Sequence, residues 1–164
     1  PRSATVRSVT LDRYRVPPGE NLKLSVVLAP FREAERVFGT TIKVPEEVAP
    51  GPLSLRVGSA VAMARGDWHE EPVLPRDLDQ LILLINQLRR NDRVYVMAIA
   101  PDDGLLLDGA RLGNLPPSVA SVLSRPGGHG NRVAVRRRLV LEESLPADEV
   151  VEGEVRLELE VAPR

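Results

Sequence analysis

The residues with the greatest catalytic potential are two histidines, His69 and His129, which both lie in stretches predicted to be loops. A hydrolytic site would pair a serine nucleophile with a histidine base, and Ser121 and Ser124 stand close to His129 in the chain. Neither serine lies in a GxSxG elbow, and residue type alone does not place a base beside a nucleophile. We therefore expect both histidines to be surface residues and the chain not to be an enzyme.

Metal and phosphate sites are also poorly supported by the spacing of the polar residues. His69-Glu70-Glu71 and Asp102-Asp103 offer ligand atoms, but their spacing fits neither a zinc motif nor a twelve-residue calcium loop. Gly127-Gly128-His129-Gly130 has the composition of a phosphate-cradling loop. Such a loop follows a strand and opens a helix, whereas here a predicted helix precedes and a predicted strand follows. We expect solvated turns, no metal and no cofactor.

Binding to another protein is better supported. Trp68, the single tryptophan, stands among charged residues and either packs against the fold or anchors an interface, with packing favoured. Together with His69 and His129 it forms the set of candidate interaction residues. Glu154, Glu158 and Glu160 predict a solvated sheet face on the last strand. If that strand is a sheet edge, it could recruit a partner strand, so a homodimer through a sheet edge is one expectation.

The composition narrows the classes of partner. The 164 residues carry 22 basic and 23 acidic side chains, a net charge of -1, which argues against binding nucleic acid or an anionic membrane. The absence of cysteine excludes disulfides and cysteine zinc sites, and no apolar run is long enough to span a membrane. The chain opens without an initiator Met, so we expect a piece of a longer protein. The expected partner is another protein or a neighbouring domain.

The most strongly patterned stretch is Asp77–Ala100. Its first half has apolar residues at helical spacing (Leu78, Leu81, Ile82, Ile85 and Leu88), with Asp77 at the N-cap position. Its second half, Val94–Ala100, is apolar on both faces of a predicted strand, which is typical of a strand covered on both sides. We expect both halves to be buried.

Alternation of apolar and polar residues between Pro/Gly turns predicts strands at both ends of the chain. We expect an immunoglobulin-like antiparallel β-sandwich, mainly β (α+β), with an α/β helix-strand-helix insertion. Residues 1–72 and 127–164 would form the sandwich and residues 73–126 the insertion, all in one compact unit. Asp102-Asp103-Gly104 predicts a tight turn, and residues 60–75 show no clear pattern. The predicted strands are Thr5–Leu11, Leu22–Leu28, Phe38–Val44, Leu53–Val57, Val133–Leu141 and Val155–Val161.

Several segments carry a family resemblance, and they span most of the chain, from about Val16 to Ser124. They are Pro18-Gly-Glu20, Asp77-Leu-Asp-Gln-Leu, Asn91-Asp-Arg-Val-Tyr-Val96, Gly109-Ala-Arg-Leu112 and Leu115-Pro-Pro-Ser-Val119 with Leu123. In these the chain resembles the C-terminal, non-catalytic region of large bacterial proteins with a peptidase domain similar to the stage IV sporulation serine peptidase. No catalytic motif of that peptidase is present. The resemblance implies an accessory module of a secreted or envelope protein, and hence an extracytoplasmic location.

The leading expectation is therefore a non-enzymatic module for protein–protein contact or domain positioning beside a peptidase-like domain. The alternative is a small-ligand or glycan-binding module that uses the loops around Trp68 and His129. An enzyme is the third and least favoured class.

Overall fold

The computed structural model describes residues 2–65, 77–79, 81–82, 88–107, 110–112, 116, 118 and 132–163. The fold is mainly β, with two sheets. The strands are β1 (Ser3–Leu11), β2 (Arg15–Val16), β3 (Asn21–Pro30), β4 (Arg36–Lys43), β5 (Gly51–Gly58), β6 (Arg93–Leu107), β7 (Ala110–Leu112), β8 (Arg132–Pro146), β9 (Val150–Glu152) and β10 (Glu154–Val161); the helix α1 is Ala60–Ala64.

The first sheet has the strand order β4-β3-β1-β9. β3 pairs antiparallel with β1 and β4, while β9 pairs parallel with β1. The predicted alternation in β3 is confirmed, because Leu22, Leu24, Val26 and Leu28 are all buried. The turn before β3 is also as predicted, since Gly19 has the positive φ of 83° that glycine accepts without strain.

The second sheet has the order β2-β10-β5-β6-β7, and β8 also pairs with β6. β5 lies antiparallel between β10 and β6, and the last strand has the predicted dry and wet faces. Buried side chains of both sheets belong to one apolar cluster, so a largely aliphatic core is formed in a chain with few aromatic residues. The cluster includes Val6, Leu24 and Ile42 from the first sheet and Leu55, Val96 and Leu159 from the second.

The expectation for Asp77–Ala100 is right for one half and wrong for the other. Val94–Ala100 is buried throughout, with Val96 completely inaccessible. Leu78, Leu81 and Ile82 are helical as predicted but exposed, with 68% of Leu78 and 39% of Leu81 accessible, and Leu88 is exposed as well. Ile85 lies outside the described residues. Helical periodicity shows that one face is apolar, but it does not show which surface, if any, covers that face.

One local prediction is wrong, and two elements were not predicted. β6 runs straight through Asp102-Asp103-Gly104, where a tight turn was expected, because pairing with neighbouring strands outweighs local turn propensity. α1 forms in the stretch that shows no sequence pattern, capped by the Ser59 hydroxyl, which accepts from the Ala62 amide at 3.1 Å. β9 was not predicted, since three residues are too few to show an alternation.

The chain divides into two compact units. One contains Pro1–Gly66, Arg89–Ala100 and Leu139–Arg164, and the other contains Asp67–Leu88 and Pro101–Arg138. The first half of β6 therefore belongs with the terminal strands, whereas the sequence pattern assigned it to the insertion. The domain boundaries proposed from the sequence stay a prediction.

Candidate functional site

β4 is the terminal strand of the first sheet within the described part of the chain. It pairs with β3 along its whole length, from Lys43 opposite Asn21 to Arg36 opposite Leu28. Its other side has no strand beside it among the described residues. An edge of this length presents a row of backbone donors and acceptors to a partner.

The hydrogen bonds at the end of the ladder show which backbone groups of β4 face outward. The Val44 amide donates to the Glu20 carbonyl at 3.0 Å, so Val44 faces β3. Because facing alternates residue by residue in an antiparallel ladder, the even-numbered residues of β4 bond to β3 and the odd-numbered residues point away. Val37, Gly39, Thr41 and Lys43 therefore direct their N–H and C=O groups outward, and all four are exposed. We call these four residues the β4 edge.

The middle of this strand carries none of the features that usually protect an edge. Between Arg36 and Lys43 there is neither a charged residue nor a proline, and the side chain of Val37 is 66% exposed. β10 differs, because its exposed positions hold Arg156, Glu158 and Glu160. The middle of β4 is thus less protected against pairing than β10.

Gly39 lies within the β4 edge, and the described fold does not require a glycine there. A Cβ atom at this position would meet nothing within 4 Å, and the residue does not have a positive φ. At Gly58, by contrast, a Cβ atom would lie 2.6 Å from the Gly153 carbonyl oxygen. A glycine inside a strand often marks a close approach by another backbone. The described chain supplies no such backbone at Gly39.

Ion pairs hold the start of β4 in place. Arg36 forms a hydrogen-bonded ion pair with the buried carboxylate of Glu149, and it lies 3.8 Å from the carboxylate of Asp148. Its guanidinium also lies over the Phe38 ring, 5.8 Å from the centroid. Ile42, near the other end, is buried in the core. The strand is therefore fixed to the fold through its inner face, which leaves its outer edge preformed.

A second surface feature is a groove of about 480 Å³ beside β10. Its lining includes the half-exposed ring of Tyr14 and the carboxylates of Glu158 and Glu160. Glu158 accepts a hydrogen bond of 2.5 Å from the Ser54 hydroxyl, and Glu160 lies 4.0 Å from Arg15. One aromatic ring beside two carboxylates is a polar, open surface that could hold a small ligand.

The candidate residues from the sequence cannot be placed beside these features. Trp68, His69 and His129 lie outside the described residues, and so do Ser121 and Ser124. Asp102 is buried in β6 and not in a solvated turn. No cluster of three or more potential metal ligands occurs among the residues that the structure describes.

The last strand is not the terminal strand that the sequence suggested as a candidate edge. β10 lies between β5 and β2, although its pairing with β2 covers only Glu160 and Val161. The β4 edge was missed because strand periodicity does not reveal the order of strands in a sheet. Two signals were present in the sequence: a glycine inside an alternating strand, and a run of six residues without charge.

Comparison with known proteins identifies no relative. No family model, no curated protein sequence and no solved structure matches the chain. Within the described residues, no helix combines the length and the apolar character needed to cross a membrane.

Proposed function

We propose that this chain is a non-enzymatic interaction module that binds an extended segment of a protein partner, or of a neighbouring domain, at the β4 edge. The observation that supports this proposal is the row of outward backbone groups on the β4 edge, in which Val37, Gly39 and Thr41 carry neither a charge nor a proline. Strand addition at such an edge gains affinity from main-chain hydrogen bonds and specificity from alternate side chains.

The binding free energy expected from strand addition is small, which suits a weak or multivalent contact. A net gain of about 0.5–1.5 kcal/mol for each backbone hydrogen bond is offset in part by the ordering of the incoming segment. The strand is already held by Arg36 and Ile42, so the module itself loses little entropy on binding. An already extended or tethered partner would therefore bind best.

The architecture we propose is an immunoglobulin-like sandwich built from the two ends of the chain, with an α/β insertion between them and with the first half of β6 belonging to the sandwich. It is supported by the antiparallel pairing in both sheets and by the core cluster that they share. From the resemblance between about Val16 and Ser124 we further propose an accessory role in a larger bacterial, extracytoplasmic, peptidase-like protein. That role rests on the resemblance alone.

Strand addition is tested with a synthetic peptide of alternating valine and threonine, flanked by lysines and blocked at both ends. Amide hydrogen exchange should slow at Val37, Gly39, Thr41 and Lys43 when the peptide is added. Thr41→Pro should abolish binding, because it removes an outward N–H group without removing a bond to β3. Thr41→Val, which keeps the N–H group, is the matched control and should bind like the parent.

Two further checks make this test decisive. Thr41→Lys places a charge on the edge without changing the backbone and should also weaken binding. Cooperative thermal melting of each variant shows that it is folded. Unchanged binding in Thr41→Pro, or slowed exchange in β10 in place of β4, would overturn the proposal.

A small-ligand or glycan-binding role is the second candidate, supported by the groove beside β10. Tyr14 supplies an exposed ring on which a sugar face could stack, and Glu158 and Glu160 supply acceptors for its hydroxyl groups. NMR titration with neutral monosaccharides should shift the resonances of Tyr14 and Leu159. If Tyr14→Ala leaves those shifts unchanged, this candidate fails.

A further inference from the structure

We propose that the strand added to the β4 edge is β4 of a second copy of this chain, paired antiparallel about a twofold axis through Gly39. This inference rests on the proposed function, because it names the occupant of the same edge. The result would be a continuous eight-stranded sheet made from the four-stranded sheets of two copies. An isologous contact of this kind closes on itself, as most homodimers do.

The alternation of inward- and outward-facing residues along β4 restricts the registers in which two copies can pair. Only odd-numbered residues of β4 face outward, so they must lie opposite odd-numbered residues of the second copy. With the axis at Gly39, this glycine lies opposite Gly39 of the second copy, and Val37 lies opposite Thr41 of the second copy. In the same register Glu35, which directly precedes β4, lies opposite Lys43.

Charge complementarity selects this register from its neighbours. Glu35 and Lys43 are both more than half exposed, and their ion pairs within the chain are long, 3.6 Å to Arg7 and 3.8 Å to Glu46. The axis at Gly39 brings two Glu35–Lys43 pairs together, one on each side. One neighbouring register places Val37 opposite Lys43. The other places Thr41 opposite Glu35 and Lys43 opposite Glu33, which lies in the turn before β4 and outside the strand, so neither register keeps the two Glu35–Lys43 pairs.

The side chains near the axis fit the same arrangement. Gly39, for which the described fold has no requirement, would lie where two backbones approach each other, and its missing side chain leaves that space open. The exposed side chain of Val37 would be covered by Thr41 of the second copy. The glycine and the exposed valine thus have one common explanation.

Cysteine cross-linking tests this register directly, because the chain contains no cysteine. Directly opposite residues of a hydrogen-bonded pair lie about 5.5 Å apart at Cα, within the span of a disulfide. Under mild oxidation, Gly39→Cys should form a disulfide dimer by itself. Val37→Cys and Thr41→Cys should each stay monomeric alone and should form a mixed dimer when combined. Dimers of Val37→Cys alone would overturn the register.

The charge pairs give a second test that introduces no residue at the axis. Glu35→Lys or Lys43→Glu should weaken dimerisation about tenfold, since two attractive pairs become repulsive, and the double variant should restore it. Analytical ultracentrifugation over a concentration series measures the dissociation constant. Glu152→Lys, the same charge change on β9 at the opposite end of the sheet, is the control and should leave dimerisation unchanged. Failure of the double variant to recover would overturn the inference.

The outcomes separate this inference from the proposed function. If Thr41→Pro abolishes peptide binding while the parent chain stays monomeric at the highest concentration tested, strand addition stands and the second copy is excluded. If the peptide does not bind and the chain is monomeric, both proposals fail. A dimer that Thr41→Pro disrupts and that the mixed cysteine pair captures supports both.

Discussion

The guanidinium of Arg56 on β5 and the carboxylate of Glu154 on β10 form an ion pair beneath α1. Nε and Nη2 of Arg56 donate to Oε2 of Glu154 at 3.0 and 2.6 Å, and only 5% of Arg56 is exposed. Nη2 also donates to the carbonyl oxygen of Ala62 at 3.0 Å and lies 3.4 Å from that of Arg65. One arginine therefore joins two strands and satisfies carbonyls at the end of the helix.

Removal of the carboxylate should take away the charge to which this buried guanidinium donates two hydrogen bonds. We expect Glu154→Gln to reduce the free energy of unfolding by about 3 kcal/mol, at the lower end for a broken buried pair, because two carbonyl bonds to Arg56 remain. Glu158→Gln, an exposed change on the same strand, should alter stability by less than about 0.5 kcal/mol. Urea unfolding measures both. Equal effects would show that the Arg56 pair is not a main support of this sheet.

The same pair predicts a pH dependence of stability. Desolvation, the largest single influence, raises the pKa of Glu154. The hydrogen bonds from Arg156 and Arg56, together with their positive charges, lower this pKa by more than desolvation raises it, so the pKa lies below its ordinary value of 4.5. A carboxylate with a lowered folded-state pKa stabilises the protein above its unfolded pKa and loses that contribution as the pH falls through the folded value. The difference in stability between the parent and Glu154→Gln should thus be constant near neutral pH and shrink below about 4.5. Urea unfolding at several pH values checks this, and a difference that grows at low pH would contradict it.

Two glycines on β4 and β5, which belong to different sheets, should respond differently to the same substitution. In Gly58→Ala the new Cβ atom would lie 2.6 Å from the Gly153 carbonyl oxygen and 2.7 Å from Cβ of Glu154, so a strand must shift. We expect a loss of about 1–3 kcal/mol. Gly39→Ala meets no neighbour and should leave the unfolding free energy of the dilute protein unchanged or slightly raised. Thermal melting compares the two, and a similar loss at Gly39 would mean that its surroundings are occupied.

The exposed helix face and the buried strand β6 should differ in their tolerance of a new charge. Val96→Asp would bury an unpaired charge at a fully inaccessible position and should abolish cooperative folding. Leu78→Asp changes a side chain that is 68% exposed and should alter stability by less than about 0.5 kcal/mol. Circular dichroism melting curves of the two variants measure the contrast. Loss of folding in Leu78→Asp would show that this leucine is covered in solution.

Local pattern in the sequence was enough to identify most strands of this protein. The alternation in Leu22–Leu28 and Val155–Val161 predicted both the strands and their buried faces, because a period of two determines which side chains share a face. The Pro/Gly turn at Gly19 followed from the steric freedom of glycine. The mainly β class follows from these local rules.

Features that depend on contacts between distant residues appeared only in the tertiary structure. Strand order made β4 an edge and placed β10 inside a sheet, although both strands alternate in the same way. Arg56 looks like an exposed strand residue in the sequence, but its partner Glu154 is 98 positions away. The leucines after Asp77 show a periodic face whose exposure local spacing could not indicate. Periodicity is a property of neighbouring residues, whereas burial, pairing and an open edge are set by segments that meet only when the whole chain folds.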